Sequence, residues 1–295
     1  MLSRTVLPYV WMLAGALAFA CMGALAHALE RCDWLVVAVA RTGLALAFSW
    51  MLAKAAGVKL VVWRPATLWI RSVAGSISLV CAFYALPRMH IGDVLTLTNV
   101  FPLWVALLSW PLLNETPTPQ VWLSLAAGLA GVALVQQPIF EEGNLAALAA
   151  LASSVSTAVA MIGLHRLQNI DPRAIVVHFS AVGLAACLLL LLGRSGATPL
   201  IGLDDPRTLA MLLGVGVTAT IGQVFLTKAF AAGPPAKVSV VGLAQVVFGA
   251  FFDRVFWGRS FEPLTLLGML LVLAPTAWLM LRREAESVPL ASLGE

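Results

Sequence analysis

The sequence predicts an all-α integral membrane protein of ten transmembrane helices, arranged as two inverted five-helix repeats. Three observations lead there. Hydrophobic residues make up 61% of the 295-residue chain and charged residues only 11%, with a mean hydropathy of +0.95. A soluble domain wets its surface with about a quarter charged residues, and 18 Lys+Arg with 14 Asp+Glu cannot do that. Apolar stretches of roughly 20 residues, the length that crosses a bilayer, recur along the whole chain. The second half also repeats the spacing of the first. The same composition excludes a disordered chain, a coiled coil, a collagen and a secreted disulfide scaffold.

Cutting at charge and Pro/Gly clusters places the spans at 5–28, 34–54, 66–86, 91–112, 119–137, 144–165, 173–193, 207–231, 236–257 and 262–282. The first follows Met-Leu-Ser-Arg directly and is longer than the apolar core of a signal peptide, so it reads as an uncleaved helix. The second carries Arg41, and the third carries Ser72, Gly75, Ser76 and Ser78. The fourth holds Thr96, Thr98 and Asn99 ahead of Pro102. A proline there removes a backbone donor, frees a carbonyl near Thr98 and kinks the helix. Asn114-Glu115-Thr116-Pro117, Gln136-Gln137-Pro138, Asp171-Pro172 and Gly233-Pro234-Pro235 punctuate later spans. The loops are short except around Thr198–Pro206, which leaves no room for a soluble domain.

Orientation follows from cation asymmetry. With the N-terminus in the cytoplasm, Arg4, Lys54, Lys59, Arg64, Arg71, Arg166, Arg173, Lys228, Lys237, Arg282 and Arg283 fall inside. Arg31, Arg88, Arg194, Arg207, Arg254 and Arg259 fall outside, and Arg41 stays within its span. Both termini are therefore expected in the cytoplasm. The pI of 9.1 reflects these loops, since no basic face with interleaved aromatics suggests nucleic acid.

Sliding the chain on itself by about 144 residues lays the third to fifth spans on the eighth to tenth. Ala85 meets Ala229, Ala106 meets Ala250, and Asn114-Glu115-Thr116 meets Gly258-Arg259-Ser260. Phe101 falls opposite Gln245 and Pro102 opposite Val246. Five spans per copy is an odd number, so the second copy enters from the opposite face. Residues 1–137 and 144–283 form the two repeats, with 284–295 a short cytoplasmic tail. Secondary transporters built this way hold substrate near the midplane between the halves.

Phe83-Tyr84-Ala85-Leu86 leads into a helix with Phe101-Pro102 that ends at Leu113-Asn114-Glu115. Gly128 and Gly131 follow, Arg41-Thr42-Gly43 precedes, and Gln223, Ala229 and Gly268 mark the second half. This pattern resembles EamA-type members of the drug/metabolite transporter superfamily over essentially the whole chain. The resemblance implies a ten-helix carrier in a bacterial inner membrane, with a central cavity lined mainly by spans 1, 3, 4, 6, 8 and 9. It also implies export of amino acids, aromatic ones included, or carriage of other metabolites and drugs. Arg259 departs from the pattern, standing where the second repeat often carries the counterpart of Glu115.

Candidate substrate contacts are polar or aromatic residues at membrane depth. Gly216, Thr220, Gln223 and Thr227 form one stripe along the eighth span, and Gln245 lies between Gly242 and Gly249 on the ninth. Each glutamine reads either as cavity lining or as interhelical bonding. Thr98, Asn99 and Pro102 read as a substrate-lining kink or a structural one. Trp104 and Tyr84 offer aromatic surface for an apolar substrate. Ser153 and Thr157 read as close-packing residues or as exposed hydroxyls. Arg41 reads as a gate or carboxylate contact, or as a structural group bonding carbonyls, with a burial cost of about 2.5–3.5 kcal/mol. His178 is a titratable group or a structural one.

No catalytic residues are assigned. An enzyme would need paired acids, a Ser/His couple or a metal cluster at membrane depth. The scattered Cys21, Cys32, Cys81 and Cys187 offer no metal-ligand spacing. Neither a cofactor nor a metal is expected, and without a Walker A motif no ATP. The expected partners are a small-molecule substrate and the bilayer; the oligomeric state is left open, with a monomer compatible. A carrier for amphipathic metabolites, amino acids first, is the leading expectation. A carrier of nucleotide-like, vitamin or drug molecules, a polytopic enzyme and a channel are the alternatives.

Overall fold

The computed structural model describes residues 6–89, 91–139, 145–193, 205–258 and 260–281. The tail assigned to 284–295 and Arg4, Arg194, Arg259, Arg282 and Arg283 lie outside them. The described residues form twelve α-helices and no strand. They are α1 (Leu7–Ala28), α2 (Trp34–Ala55), α3 (Ala66–Ala85), α4 (Ile91–Thr98), α5 (Phe101–Leu113) and α6 (Pro119–Gln136). There follow α7 (Leu145–His165), α8 (Pro172–Leu192), α9 (Pro206–Ala232), α10 (Pro235–Gly242), α11 (Ala244–Trp257) and α12 (Pro263–Leu281). Ten segments are long and apolar enough to cross a membrane, with α4–α5 and α10–α11 each making one of them.

Local chemistry sets the ends. Asp33, Asp171 and Asp205 cap α2, α8 and α9 by accepting from a backbone N–H two residues on, which satisfies a donor the first helical turn leaves open. Proline, which brings its helical φ ready-made, stands in the first turn of α6, α8, α9 and α10. Asn114 and Gly258 end α5 and α11 in the left-handed region, at φ 56° and 66°. These two caps stand 144 positions apart, as do Pro119 and Pro263 at the starts of α6 and α12.

The fourth span departs from the expected kink. Pro102 occupies the first turn of a separate helix, α5, after a break at Asn99 and Val100. A proline in a first turn lacks only a donor that would be idle anyway, so it starts a helix instead of bending one. The ninth span breaks at Leu243, the position that the 144-residue offset pairs with Asn99.

Call the face at which α1 begins the near face and the other the far face. In the near half, one apolar core joins α1, α3, α5, α7, α8, α9 and α10 through residues such as Met12, Leu68, Val105, Leu164, Phe230 and Val241. The far half divides. Leu29, Val37, Leu212 and Val215 cluster on one side, and Ala85, Val94, Ala146 and Ala150 on the other. The two halves of the chain interlock symmetrically: α1 packs on α9 as α3 packs on α7, and α2 meets α8 while α6 meets α12. The largest departure from this symmetry lies between the half-helices. At the near face α5 packs on α10, but at the far face the corresponding α4 and α11 make no comparable contact.

Candidate functional site

The strongest polar feature of the interior was missed by sequence reasoning. Arg71, counted above among the cations of the cytoplasmic face, is 1% exposed, so Arg41 is not the only cation inside a span. Arg71 lies in the second turn of α3, which is compatible with a side chain reaching back to water. Tertiary packing decides otherwise. Phe179 of α8 covers its guanidinium, 3.9 Å from the ring centroid. Gly163 of α7 lets α7 press on its stem: a Cβ there would lie 3.1 Å from Arg71 Cβ. Gly75 leaves room for the head group, since a Cβ there would stand 2.9 Å from Arg71 Nη1.

Arg71 Nη2 donates to Gln223 Oε1 across 3.0 Å, which joins the two repeats. Its Nε and Nη1 are buried with no hydrogen-bond partner among the described residues. Gln223 fixes the guanidinium without neutralising it. One residue along α3, the Ser72 hydroxyl meets His178 Nδ1 at 2.8 Å. The Trp69 ring stands perpendicular to the same imidazole with centroids 4.7 Å apart, Trp63 stacks on Trp69, and the backbone at Val62 approaches the ring. The connection between α2 and α3 thus folds against the near side of this interior.

Arg41 is 8% exposed and donates from Nε to Met22 Sδ at 3.2 Å. A thioether is a weak acceptor. Arg41 lies on α2 and Arg71 on α3, helices that pack together against α8 through Ala38, Leu79 and Phe179.

A second group lies about 10 Å along α3 from Arg71, at 1.5 Å per residue. The Ser78 hydroxyl meets Thr157 Oγ1 at 2.6 Å and Ser153 Oγ at 3.1 Å. Ser153 also donates to the Ser78 carbonyl at 2.9 Å, and Trp104 Nε1 donates to Ser154 Oγ at 3.1 Å. Ser153, Thr157 and Trp104 therefore meet where α3, α5 and α7 join.

The remaining candidates lie apart. Thr98 and Thr220 donate back to carbonyls of their own helices, as does the Asn99 amide at 2.7 Å. Such bonds satisfy a hydroxyl locally. Gln245 is half-buried in the first turn of α11. Tyr84 lines a cleft of about 370 Å³ between α2, α3, α7 and α8, together with Trp34, Val80, Cys81, Arg88 and Leu190. Arg88 lies over its ring at 3.9 Å. No group of three His, Cys, Asp or Glu able to hold a metal occurs among the described residues.

Known proteins sharpen this picture. A pseudopaline exporter of Pseudomonas aeruginosa is 31% identical over 79% of this chain and 81% of its own length. A riboflavin transporter of Rhizobium johnstonii is 25% identical over 96% of this chain and 94% of its own. Human solute carrier family 35 member G1 is 26% identical over 75% of this chain and 63% of its own. A solved crystal structure superposes with a TM-score of 0.79 at 17% identity, covering 92% of this chain and 95% of that one, which shows the fold. The EamA-like transporter family model matches twice, at residues 6–136 and 144–281. The chain is a multi-pass membrane protein and belongs to the EamA-like transporter family.

Proposed function

We propose that the chain is a secondary carrier that exports small amphipathic metabolites by alternating access, with amino acids, aromatic ones included, as the leading class. The observation that carries this reading is the broken symmetry of the two repeats. Two helices interrupted at corresponding positions meet at one face and stand apart at the other. Exchange of those two arrangements between the repeats gives the opposite opening, which is how inverted-repeat carriers work. The interior combines a guanidinium, an amide, hydroxyls and an indole, a set suited to a molecule with a polar head and an apolar body. The cation distribution supports a cytoplasmic near face in a bacterial inner membrane, with both termini there.

Counterflow tests the reading. Proteoliposomes preloaded with unlabelled phenylalanine should transiently accumulate labelled phenylalanine from outside, and the overshoot should saturate. Uncoupled conductance without counterflow would indicate a channel, and lipid turnover by the purified protein would indicate an enzyme. Overshoot with riboflavin but with no amino acid would favour the second reading, a heteroaromatic vitamin, which the relative matched over 96% of this chain supports.

A further inference from the structure

We infer that Arg71 is the anion-binding group of the transport site and takes a carboxylate of the carried molecule, with Arg41 adding a second positive charge to the same interior. This deepens the carrier reading and rests on it. A guanidinium keeps its charge at any physiological pH, and a charge taken out of water is costly unless it is paired. Arg71 is 1% exposed, and its one hydrogen-bond acceptor among the described residues is the neutral Gln223. Its Nε and Nη1 hold three N–H donors with nowhere to go. Arg41, 8% exposed, has only a thioether as hydrogen-bond partner among the described residues.

The chain does supply acids to other groups. Asp171 takes Arg173 in a two-point ion pair, Glu115 lies 3.6 Å from His165, and Asp93 accepts from the Ile139 backbone. Among the described residues none of these acids pairs with Arg71 or Arg41. Two buried cations thus lie within the bundle without a counter-charge among the described residues, and a resident carboxylate would compete with an arriving one. The missing negative charge belongs to the cargo.

The surroundings specify its form. Phe179 covers one face of the Arg71 guanidinium and Gln223 fixes one of its nitrogens, so an anion approaches in the guanidinium plane through Nε or Nη1. Charge-assisted bonds of that kind are roughly twice as strong as neutral ones. A planar carboxylate on an apolar body meets both the in-plane donors and the apolar walls.

The test uses purified full-length protein in detergent and four probes that share a phenyl body and differ in head group: 3-phenylpropionate, 3-phenylpropionamide, 2-phenylethylamine and benzyl phosphate. Only 3-phenylpropionate should raise the melting temperature at millimolar concentration. Arg71→Gln should weaken its half-maximal concentration at least tenfold, with Arg71→Lys intermediate. If Arg71→Gln does not fold, the head-group series on the unaltered protein still decides. An equal shift from the amide or the amine, or none from the carboxylate, overturns the inference, and a shift from the phosphate alone overturns the carboxylate assignment. Failure of counterflow with the head-group dependence intact would sink the carrier reading instead, so the two failures are told apart.

Discussion

From Pro235 to Val241, every residue of α10 except Lys237 is buried, whereas its counterpart α4 buries Asp93 and Val94 and leaves Leu95 to Thr98 half-exposed. The difference extends to the whole spans: 61% of the ninth span's apolar window is buried against 33% of the fourth's. Both helices end at the same place in the repeat and are followed by a second half-helix. Their environments differ because α10 packs against α5 at the near face, while α4 has no such contact with α11 at the far face. The lesson is that a duplicated element takes its state from the face it closes, and its sequence permits either. In the described state the near face is packed and the far face parted.

The first way to break this comparison is at the packed crossing. A Cβ on Gly242 would lie 2.7 Å from the Met12 terminal methyl, whereas Gly249, further along on α11, has nothing within 4 Å. The Met12 chain can swing aside for a methyl, but the three further carbons of Gly242→Leu at this buried position should cost about 1–3 kcal/mol by overpacking and reduce counterflow more than tenfold. Gly249→Leu should leave both thermal unfolding and counterflow near the unaltered values. Equal damage from the two would mean that the near face is not the tighter one.

A comparable loss of stability is expected just beneath that crossing. Gln223→Leu removes the acceptor of Arg71 and should cost about 1.5–3 kcal/mol, the scale of a bond to a charged group. Denaturant midpoints would measure it, and restoration by Gln223→Glu, which supplies a counter-charge, would sharpen it. That same variant should lose the response to 3-phenylpropionate, because the resident carboxylate takes its place.

At the near-face end of α8, Asp171 caps the helix and pairs with Arg173. The bonds from Arg173 hold the Asp171 carboxyl below its ordinary range. A depressed pKa stabilises the folded state above the unfolded value of about 4, and that contribution is lost as pH falls through the lower folded value. Asp171→Ala should cost about 1 kcal/mol at neutral pH, with the difference from the unaltered protein closing in acid. An unchanged difference at low pH would contradict the assignment.

The smallest effect belongs to the joint between α3 and α7. Thr157→Val removes the 2.6 Å contact with Ser78 and should cost about 0.6 kcal/mol, as bonds between membrane helices average. Chemical unfolding in detergent can resolve that.

Much of this architecture was legible in the sequence. Ten spans, their limits within a few residues, and the register relating Asn114 to Gly258 follow from apolar length and turn chemistry. The breaks were harder. Pro102 marks the fourth span, but a proline at membrane depth is compatible with a kink or with a helix start, and only neighbouring helices choose between them. Leu243 carries no breaking signal of its own; Gly242 just before it is a weak one, and the repeat partner at Asn99 gives the ninth break its weight. Arg71 was misplaced for a comparable reason. Five residues inside a span edge, an arginine can reach water or turn inward, and Phe179, Gly163 and Gln223, each distant in sequence, turn it inward. Polar stripes such as Thr220 with Gln223 were visible, but which member finds a partner across the bundle was not.

Pulsed spin-label distances across the two pairs of half-helices test the central claim most directly. In proteoliposomes, labels on α5 and α10 should report a short distance and labels on α4 and α11 a long one. Transported solute should then shift the two distributions in opposite directions. Movement of both pairs in the same sense, or a single fixed distance in each, would contradict a carrier that opens its two faces in turn.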